Sequence, residues 1–280
     1  MKSMMLRQLD RTFTLYVPLL VAMLFTLLPF YWTIVTSFKR ETDIIKRPIV
    51  YWPKTFTLEN YGISWNAVGF SKFFQNSLFV SMSTVLIVLL LSVLTGYAIS
   101  RFRFYGKNAF LLMLLCTQFI PGAMLLIPLF LIFKTLGMTS NPFSLIITYS
   151  VFQLPFNSIL MSGFITNIPE QLEEAAMVDG CSRLKAVFLV IFPILLPGIV
   201  ATTVFTFIGA WNEFLFGLML INKPQFFTLP IGLRYMQGEF NMAYGALAAG
   251  SVISLLPVVV LFAFVQKYMV QGMAAGAVKG

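Results

Sequence analysis

The sequence predicts an all-α protein that crosses a lipid bilayer several times. Hydrophobic residues make up 59% of its 280 positions and charged residues only 10%, and the mean hydropathy is +0.87. A water-soluble core of this size does not require such a composition. The hydrophobic residues also occur in long runs. A helix carries such a run across a bilayer economically, because its backbone polar groups find partners within the same segment.

About 20 apolar residues cross the hydrocarbon core as a helix, and six runs reach that length. We place the six transmembrane helices at about 13–38, 76–100, 109–133, 143–165, 187–221 and 243–265. The first run lacks a small-x-small cleavage site and exceeds a signal-peptide core, so it is predicted to be an uncleaved span. The fifth run is longer than one span requires, which predicts a bend or a re-entrant piece. We expect residues 1–280 to form a single transmembrane domain.

Basic residues orient membrane proteins, because Lys and Arg accumulate in cytoplasmic loops. With the N-terminus inside, six spans place ten Lys and Arg residues on the inner side and nine on the outer side, so the count hardly decides. The density is more informative: Arg101, Arg103 and Lys107 share one short turn, whereas residues 134–142 contain only Lys134. This arrangement also places the C-terminus inside.

The composition excludes several classes of function. Histidine is absent, which removes imidazole bases, His-ligated metals and Ser-His-Asp triads. Two isolated cysteines, Cys116 and Cys181, do not indicate a disulfide framework or a zinc site. The net charge of +9 does not indicate nucleic acid, because the basic residues lie between apolar runs and form no stripe. The chain also lacks the G-x-x-x-x-G-K-[ST] phosphate loop.

The polar segment 168–185, after the fourth run, predicts a short helix outside the bilayer. Pro169 suits the first helical position, and Thr166 or Asn167 can cap the helix. Gly180 can adopt the left-handed conformation that ends a helix. The start and stop signals therefore agree on a helix of about eleven residues, which is marginal by itself in water.

This helix has an acidic first half and a narrow apolar face. The helix dipole favours anions in the first turns, where the acidic residues are Glu170, Glu173 and Glu174. Helical spacing places four apolar residues on one side: Ile168, Leu172, Ala175 and Ala176. Such a face can enter a groove on a partner or pack on its own chain, and the residues alone leave both alternatives open.

The segment Glu174-Ala-Ala-Met-Val-Asp-Gly180 resembles the EAA motif of binding-protein-dependent ABC importer permeases, and Phe188, Pro193 and Pro197 follow it as in that family. Three further segments resemble the sugar-importer branch, in particular its smaller maltose-type permease subunits. They are Pro169-Glu170, Trp211-Asn-Glu-Phe214 and the ending 272–280. Cys181 departs from the family, which often has Ala after the glycine, but it is also small.

The resemblance implies a type I ABC importer permease fold with both termini in the cytoplasm, located in the bacterial cytoplasmic (inner) membrane. It implies a multi-subunit importer. The expected partners are two ABC ATPase subunits, a second and non-identical permease subunit, an extracytoplasmic solute-binding protein and a sugar substrate. ATP and Mg²⁺ would bind to the ATPase subunits, so this chain would bind no cofactor and would not be an enzyme.

By the same resemblance, the cytoplasmic coupling loop 166–186 docks against the ATPase subunits. The residues expected to couple to them are Glu170, Glu173, Glu174, Ala175, Ala176, Asp179 and Gly180, and at the C-terminus Lys279 and Gly280. Glu174 is the leading candidate, followed by Asp179. A helix-terminal electrostatic role for Glu174 and a free C-terminus are the alternatives.

Polar residues within the apolar runs are candidates for the substrate pathway. They are Gln118, Gln153, Asn157, Trp211, Asn212 and Glu213. Glu213 is the one acidic residue inside an apolar run, and intramembrane ionisable groups are usually functional. Trp211 and Asn212 could stack on a sugar and hydrogen-bond to it. The alternatives are an interfacial cluster that bends the helix and, for the amides, ordinary interhelical hydrogen bonds.

Three other functions remain open at this point. An ABC permease for a non-sugar solute would share these features. A secondary transporter usually needs several intramembrane carboxylates, and this chain offers only Glu213. A membrane-embedded enzyme would have little chemistry available without histidine, paired carboxylates or metal-ligand spacing.

Overall fold

The computed structural model describes residues 12–66, 69–237 and 243–277, and within them it contains helices and connecting turns but no strand. A π-helical turn, Thr12–Tyr16, leads into the first helix. The helices are α1 Val17–Ser37, α2 Glu41–Ile44, α3 Glu59–Asn66, α4 Phe70–Arg101, α5 Lys107–Thr117, α6 Gly122–Thr135, α7 Pro142–Thr166, α8 Gln171–Val178, α9 Arg183–Ile194, α10 Leu196–Trp211, α11 Leu215–Leu220, α12 Leu229–Tyr235 and α13 Tyr244–Ala277.

Among the described residues, four helical segments are long and apolar enough to cross a bilayer: Phe13–Ser37, Phe70–Arg101, Pro142–Thr166 and Tyr244–Lys267. They correspond to four of the predicted runs, although α4 begins six residues earlier than predicted. Two bent helix pairs, α5 with α6 and α9 with α10, bring the number of spans to six if each pair forms one span. The predicted all-α, multi-span architecture is therefore confirmed.

The third and fifth predicted runs are not continuous helices. The axes of α5 and α6 meet at 90°, and those of α9 and α10 at 80°. Pro121 lies at the first break in an extended conformation, and Pro197 follows the second break at Leu195. Proline lacks a backbone N–H and so removes one hydrogen bond of a continuous helix, which accounts for both bends. The run predicted at 109–133 thus forms two helices at a sharp angle rather than one continuous helix, and the bend predicted within 187–221 is confirmed.

The chain groups into two compact units, and the first consists of residues up to Phe70 together with Leu233–Leu255. Polar contacts hold the loop after α1. The Asn60 side chain donates to the carbonyls of Ser37 at 2.8 Å and Lys39 at 2.6 Å. The Glu41 carboxylate accepts the N–H groups of Tyr244 and Gly245, each at 2.9 Å. This carboxylate therefore supplies partners for the free N–H groups at the start of α13.

Lys39 is an unusual member of this loop because it is almost fully buried. Its ammonium donates to the carbonyl of Val50 and lies 4.3 Å from the centre of the Trp32 ring. Burial lowers the pKa of Lys39, and the Asp43 carboxylate partly offsets that effect. The side chain thus joins the end of α1 to the loop.

The second unit comprises Ser71–Gly232 and residues from Leu256 onward. Its core joins α4, α7 and α9 through Val93, Tyr97, Met161, Ile165, Ile168, Val187, Ile191 and Leu195. Helix α10 packs closely along α7, since a Cβ at Gly198 would collide with Phe164 and one at Gly209 with Gln153.

One end of the second unit is joined by a different set of hydrogen bonds. The Asn76 amide donates to the carbonyls of Gln225 and Phe227, and the N–H of Ser140 donates to the Leu220 carbonyl at 2.7 Å. The start of α4, the turn before α7 and the segment after α11 therefore lie at the same end. If each bent pair forms one span, these three segments lie on the same side of a membrane.

Candidate functional site

The predicted polar helix exists as α8, Gln171–Val178. It ends as predicted at Gly180, whose φ is +90°. The N–H of Gly180 donates to the Met177 carbonyl at 3.1 Å, and the N–H of Cys181 donates to the Ala176 carbonyl at 3.0 Å. This pair of bonds is a Schellman motif, in which a left-handed residue returns the chain to satisfy the last carbonyls of the helix.

The predicted start of the helix is wrong. Pro169 lies two residues before the first helical residue, and no side chain caps α8. The Thr166 hydroxyl donates to the Ser162 carbonyl instead, and the Asn167 amide donates to the Gly163 carbonyl. Both side chains bond back to α7 because its last carbonyls also lack partners. The helix is consequently eight residues long rather than about eleven.

Helix α8 has an inner and an outer face. Ile168, Glu173 and Ala176 are buried against the chain. The outer face is exposed and consists of Leu172, Glu174, Ala175 and Val178, and Val178 is 87% exposed. The apolar face predicted from Ile168, Leu172, Ala175 and Ala176 is therefore divided between the two sides. The helix packs on its own chain and still presents a small apolar surface outward.

Glu173 is the buried acidic residue of this helix, at 5% exposure. Its Oε1 accepts Nε of Arg101 in an ion pair of which both side chains are 7% exposed. Its Oε2 accepts the Tyr97 hydroxyl at 2.7 Å. Nη2 of Arg101 donates to the Ile168 carbonyl at 2.8 Å. Each charge thus has several hydrogen-bonding partners, as a buried ion pair requires.

Aromatic contacts enclose this ion pair from one side. The Tyr97 ring packs edge-on against Phe102 at 6.0 Å between ring centres. The guanidinium of Arg183, at the start of α9, lies 5.2 Å from the centre of the Phe102 ring. The last turn of α4, the short helix α8 and the start of α9 therefore meet in one cluster.

The other acidic coupling candidates lie outside this cluster. Glu170 is exposed and its Oε1 lies 4.0 Å from Nη1 of Arg101. Glu174 and Asp179 are exposed, and in the described part of the chain no hydrogen bond or ion pair engages the Glu174 carboxylate. Lys279 and Gly280 lie outside the described residues.

The second acidic candidate site is the turn between α10 and α11. The Glu213 carboxylate accepts the Tyr149 hydroxyl at 2.6 Å and the N–H groups of Phe216 at 2.9 Å and Gly217 at 3.1 Å. Glu213 therefore lies just before the short helix α11 and accepts free N–H groups of its first turn, which favour an anion. Because these donors occupy its lone pairs, the Glu213 carboxylate mainly stabilises the local structure.

Trp211, next to Glu213, is buried. Its ring stacks on Phe207 at 5.3 Å and packs edge-on against Phe74 at 5.6 Å. The Trp211 face is therefore covered in this conformation. Asn212, between the two, is exposed.

The three amides of the pathway prediction lie in different surroundings. Asn157 is fully buried and donates to the Gln153 carbonyl at 2.8 Å, and Gln153 itself lies against Gly209. Gln118 is exposed at the break between α5 and α6. It lines a mostly apolar cavity of about 260 Å³ together with Thr117, Leu129, Thr148, Val151 and Phe152. The predicted pathway residues thus do not form one cluster.

Sequence reasoning missed the residues that complete both acidic sites: Arg101, Tyr97 and Tyr149. In the sequence, Arg101 stands out only as one of three basic residues in a turn. A single sequence gives no signal for pairs that are 72 or 64 residues apart. The three-residue spacing of Glu173 and Ala176 could have placed Glu173 on the inner face.

Comparisons with known proteins agree on one family. Residues 88–275 match the family model described as binding-protein-dependent transport system inner membrane component. The chain is 35% identical to the diacetylchitobiose uptake system permease protein DasC of Streptomyces coelicolor, with 90% of this chain and 91% of that protein covered. It is 33% identical to the trehalose/maltose transport system permease protein MalG of Thermococcus litoralis, with 91% and 92% covered.

A solved structure supports the same conclusion at the level of the fold. The structure superposes with a TM-score of 0.81 on a chain of a bacterial ABC transporter involved in the import of the acidic polysaccharide alginate. The two sequences are 25% identical, and the match covers 92% of this chain and 97% of that chain. The type I ABC permease fold inferred from the EAA resemblance is therefore confirmed.

Proposed function

The chain belongs to the family of inner membrane components of binding-protein-dependent transport systems, and from this premise we propose that it is the permease subunit of an ATP-driven carbohydrate importer. The cargo would be an oligosaccharide or another sugar. The names of the relatives support this class, since they include permeases for diacetylchitobiose and for trehalose and maltose. An extracytoplasmic binding protein would deliver the sugar to the outer side of the permease.

The energy for transport would come from two partner ATPase subunits, which bind ATP and Mg²⁺. The outer face of α8 is the surface that would dock against them. This exposed face is the single observation that carries this part of the proposal. Leu172, Ala175 and Val178 face outward from a helix of only eight residues, and Val178 is 87% exposed. Burial of this face in a groove of the ATPase would leave the Glu174 carboxylate at the rim to bind a basic partner residue.

The coupling loop would lie in the cytoplasm, and both termini would lie on the same side. The ion pair between Arg101 and Glu173 supports this orientation, because it places the turn after α4 and the loop after α7 at one end of the second unit. That turn also contains Arg103 and Lys107, and basic residues favour the cytoplasmic side. The protein would thus be a multi-pass protein of the bacterial cytoplasmic membrane.

A second, non-identical permease subunit would complete the pathway. Six spans are few to enclose a sugar, and exposed apolar side chains cover α1 from Val17 to Ile34. Lipid and the second subunit would cover such surfaces. Gln118, beside the cavity, and the exposed Asn212 are the residues we propose for cargo contact in this conformation. Four residues would support the wall of the substrate pathway from behind the residues that contact the cargo: Gln153, Asn157, Trp211 and Glu213.

Reconstitution into liposomes with the second permease, the ATPase subunits and the binding protein tests the coupling proposal. Glu174→Ala and Gly180→Asp should weaken ATPase assembly or separate ATP hydrolysis from uptake. Glu59→Ala is the matched control, since Glu59 is an exposed carboxylate at the first residue of α3. Full sugar-stimulated ATPase and uptake in both coupling variants would refute the docking role.

The sugar itself is best identified through the cognate binding protein, which captures the cargo before the permease does. A screen of that protein against oligosaccharides, monosaccharides and polyols by calorimetry should yield a carbohydrate ligand. Tight binding of an amino acid or another non-sugar solute, with no carbohydrate bound, would contradict the proposed cargo class.

A further inference from the structure

We propose that Arg101, Glu173 and Tyr97 form a clamp that makes the coupling helix and the end of α4 move as one body. In this proposal Glu173 is a positioning residue that acts inside the permease, whereas Glu174 faces the ATPase. The inference rests on the proposed function, because it assumes that the ATPase subunits move α8. It adds the span that receives this movement, which is α4.

The geometry of the clamp distinguishes it from a surface ion pair. Both charged side chains are only 7% exposed, and the Tyr97 hydroxyl bonds to the carboxylate oxygen that Arg101 does not occupy. Arg101 also holds the backbone before α8, through the Ile168 carbonyl. Arg101 therefore contacts both the side chain of α8 and the chain that leads into it, so neither can shift without α4.

The energetics favour a positional role over a stabilising one. Two buried charges repay their desolvation only approximately, and apolar residues of similar volume often stabilise a fold as well or better. Removal of a single partner is costly, however, because it leaves the other charge unpaired. The buried ion pair is therefore stable in one relative position of α4 and α8, and any other position would leave a charge unpaired. A mechanical link between two helices needs this property.

Helix α4 is tied to α7 at the same level. A Cβ at Gly96 would lie 2.8 Å from the backbone N of Ser162, so the two helix backbones are in direct contact there. The Ser100 and Thr166 hydroxyls share a hydrogen bond of 3.0 Å one turn further on. The last turns of α4 and α7 and helix α8 thus form a continuous packed element, and a displacement of α8 would reach two spans rather than one.

The test compares uptake per ATP hydrolysed in the reconstituted complex. Glu173→Gln keeps the shape of the side chain but removes its charge. It should leave assembly with the ATPase intact and lower the ratio of sugar imported to ATP hydrolysed about tenfold, since a charged hydrogen bond is worth that factor or more. Glu59→Gln makes the same chemical change at an exposed carboxylate and should leave the ratio unchanged. An unchanged ratio in Glu173→Gln would overturn the clamp.

A cysteine pair provides a second, independent measurement if Glu173→Gln fails to assemble. Arg101→Cys and Glu173→Cys are combined with Cys116→Ser and Cys181→Ser, so that only the new thiols react. A short bifunctional thiol reagent should then raise uptake per ATP toward the wild-type value, because it restores the link covalently. If cross-linked complexes hydrolyse ATP but lose uptake, α4 and α8 must separate during transport and the proposal fails.

The failures of the two proposals are distinguishable. Full activity of both Glu174→Ala and Gly180→Asp would contradict docking of the outer face, and with it the assumption that the ATPase subunits move α8, whatever the uptake ratio of Glu173→Gln. A full uptake ratio in Glu173→Gln would contradict the clamp and leave the docking proposal standing.

Discussion

Two carboxylates of this apolar chain, Glu173 and Glu213, each lie a few residues after the end of a longer helix, α7 and α10 respectively, and each accepts a tyrosine hydroxyl. Their remaining partners differ. Glu173 pairs with a guanidinium 72 residues away on another helix. Glu213 accepts two N–H groups from the next turn of its own segment. The first carboxylate therefore forms a charge pair between separate helices, whereas the second mainly organises a local turn that the Tyr149 hydroxyl joins to α7.

The difference shows why acidic character alone does not assign a role in a membrane protein. Intramembrane carboxylates are functional candidates by default, and Glu213 satisfied that rule better than Glu173 did. The partners reverse the ranking, because local N–H groups account for Glu213 as the start of a helix. A buried, cross-helix charge pair needs a further explanation, which the proposed clamp supplies.

The largest expected effect follows from breaking the cross-helix pair. Arg101→Ala leaves the Glu173 carboxylate buried with only the Tyr97 hydroxyl, and breaking a buried pair in this way costs about 3–5 kcal/mol. We expect a clearly lower thermal unfolding midpoint of the purified complex in detergent. An unfolding midpoint within error of the wild type would show that water or a nearby cation compensates Glu173 and that the pair does not hold α8.

The local carboxylate should matter less. Glu213→Ala removes the acceptor of one hydroxyl and two N–H groups, and unsatisfied groups of this kind cost about 1–3 kcal/mol each when water does not replace the partner. Because the turn is only half-buried, water can replace part of the lost acceptor, and we expect a total of about 1–3 kcal/mol for the three groups together, measured by the same thermal unfolding assay. A loss as large as that of Arg101→Ala would contradict the lower rank given to the Glu213 carboxylate.

A glycine pair tests the end of α8 without changing any charge. Gly180 has φ +90° and open space around its missing side chain, so Gly180→Ala meets no steric contact and costs only the backbone strain of about 1–2 kcal/mol. Gly163→Ala, also in open space but with no positive φ in its helix, should instead stabilise α7 by up to about 1 kcal/mol. Equal effects of the two substitutions would contradict the left-handed helix end.

The sequence predicted most of the features that depend on residues close together in the chain. The spans, the approximate position of α8 and the left-handed Gly180 follow from hydropathy and turn chemistry within a few residues of each position. The prediction of the start of α8 was wrong because two helices compete for the same side chains. Thr166 and Asn167 had the chemistry to cap α8, but the unpaired carbonyls at the end of α7 were closer.

The contacts of the site were beyond the sequence for a different reason. The pairing of Arg101 with Glu173 depends on how α4 packs beside α7, and helical periodicity specifies a face but not the neighbour that covers it. The face predicted for α8 was also too broad, because Ala175 and Ala176 differ by about 100° around the axis. Only the packed structure shows that the first is exposed and the second is buried.

The substitution with the smallest expected effect on folding lies on the outer face of α8, and it should have the clearest effect on assembly with the ATPase subunits. Val178 is 87% exposed, so Val178→Ser should change the free energy of unfolding by no more than about 0.5 kcal/mol. If the ATPase groove covers this side chain, the loss of a buried valine there is worth about 1.5 kcal/mol or more, which corresponds to at least about tenfold weaker binding of the ATPase subunits. Leu58→Ser, at an exposed leucine in the loop after α1, is the control and should not alter that binding. Titration of purified ATPase subunits onto permease complexes in nanodiscs measures both. Equal ATPase affinity for the Val178→Ser and wild-type complexes would contradict docking through the outer face of α8. The inner face, with Glu173, would then be the part of the helix that matters for transport.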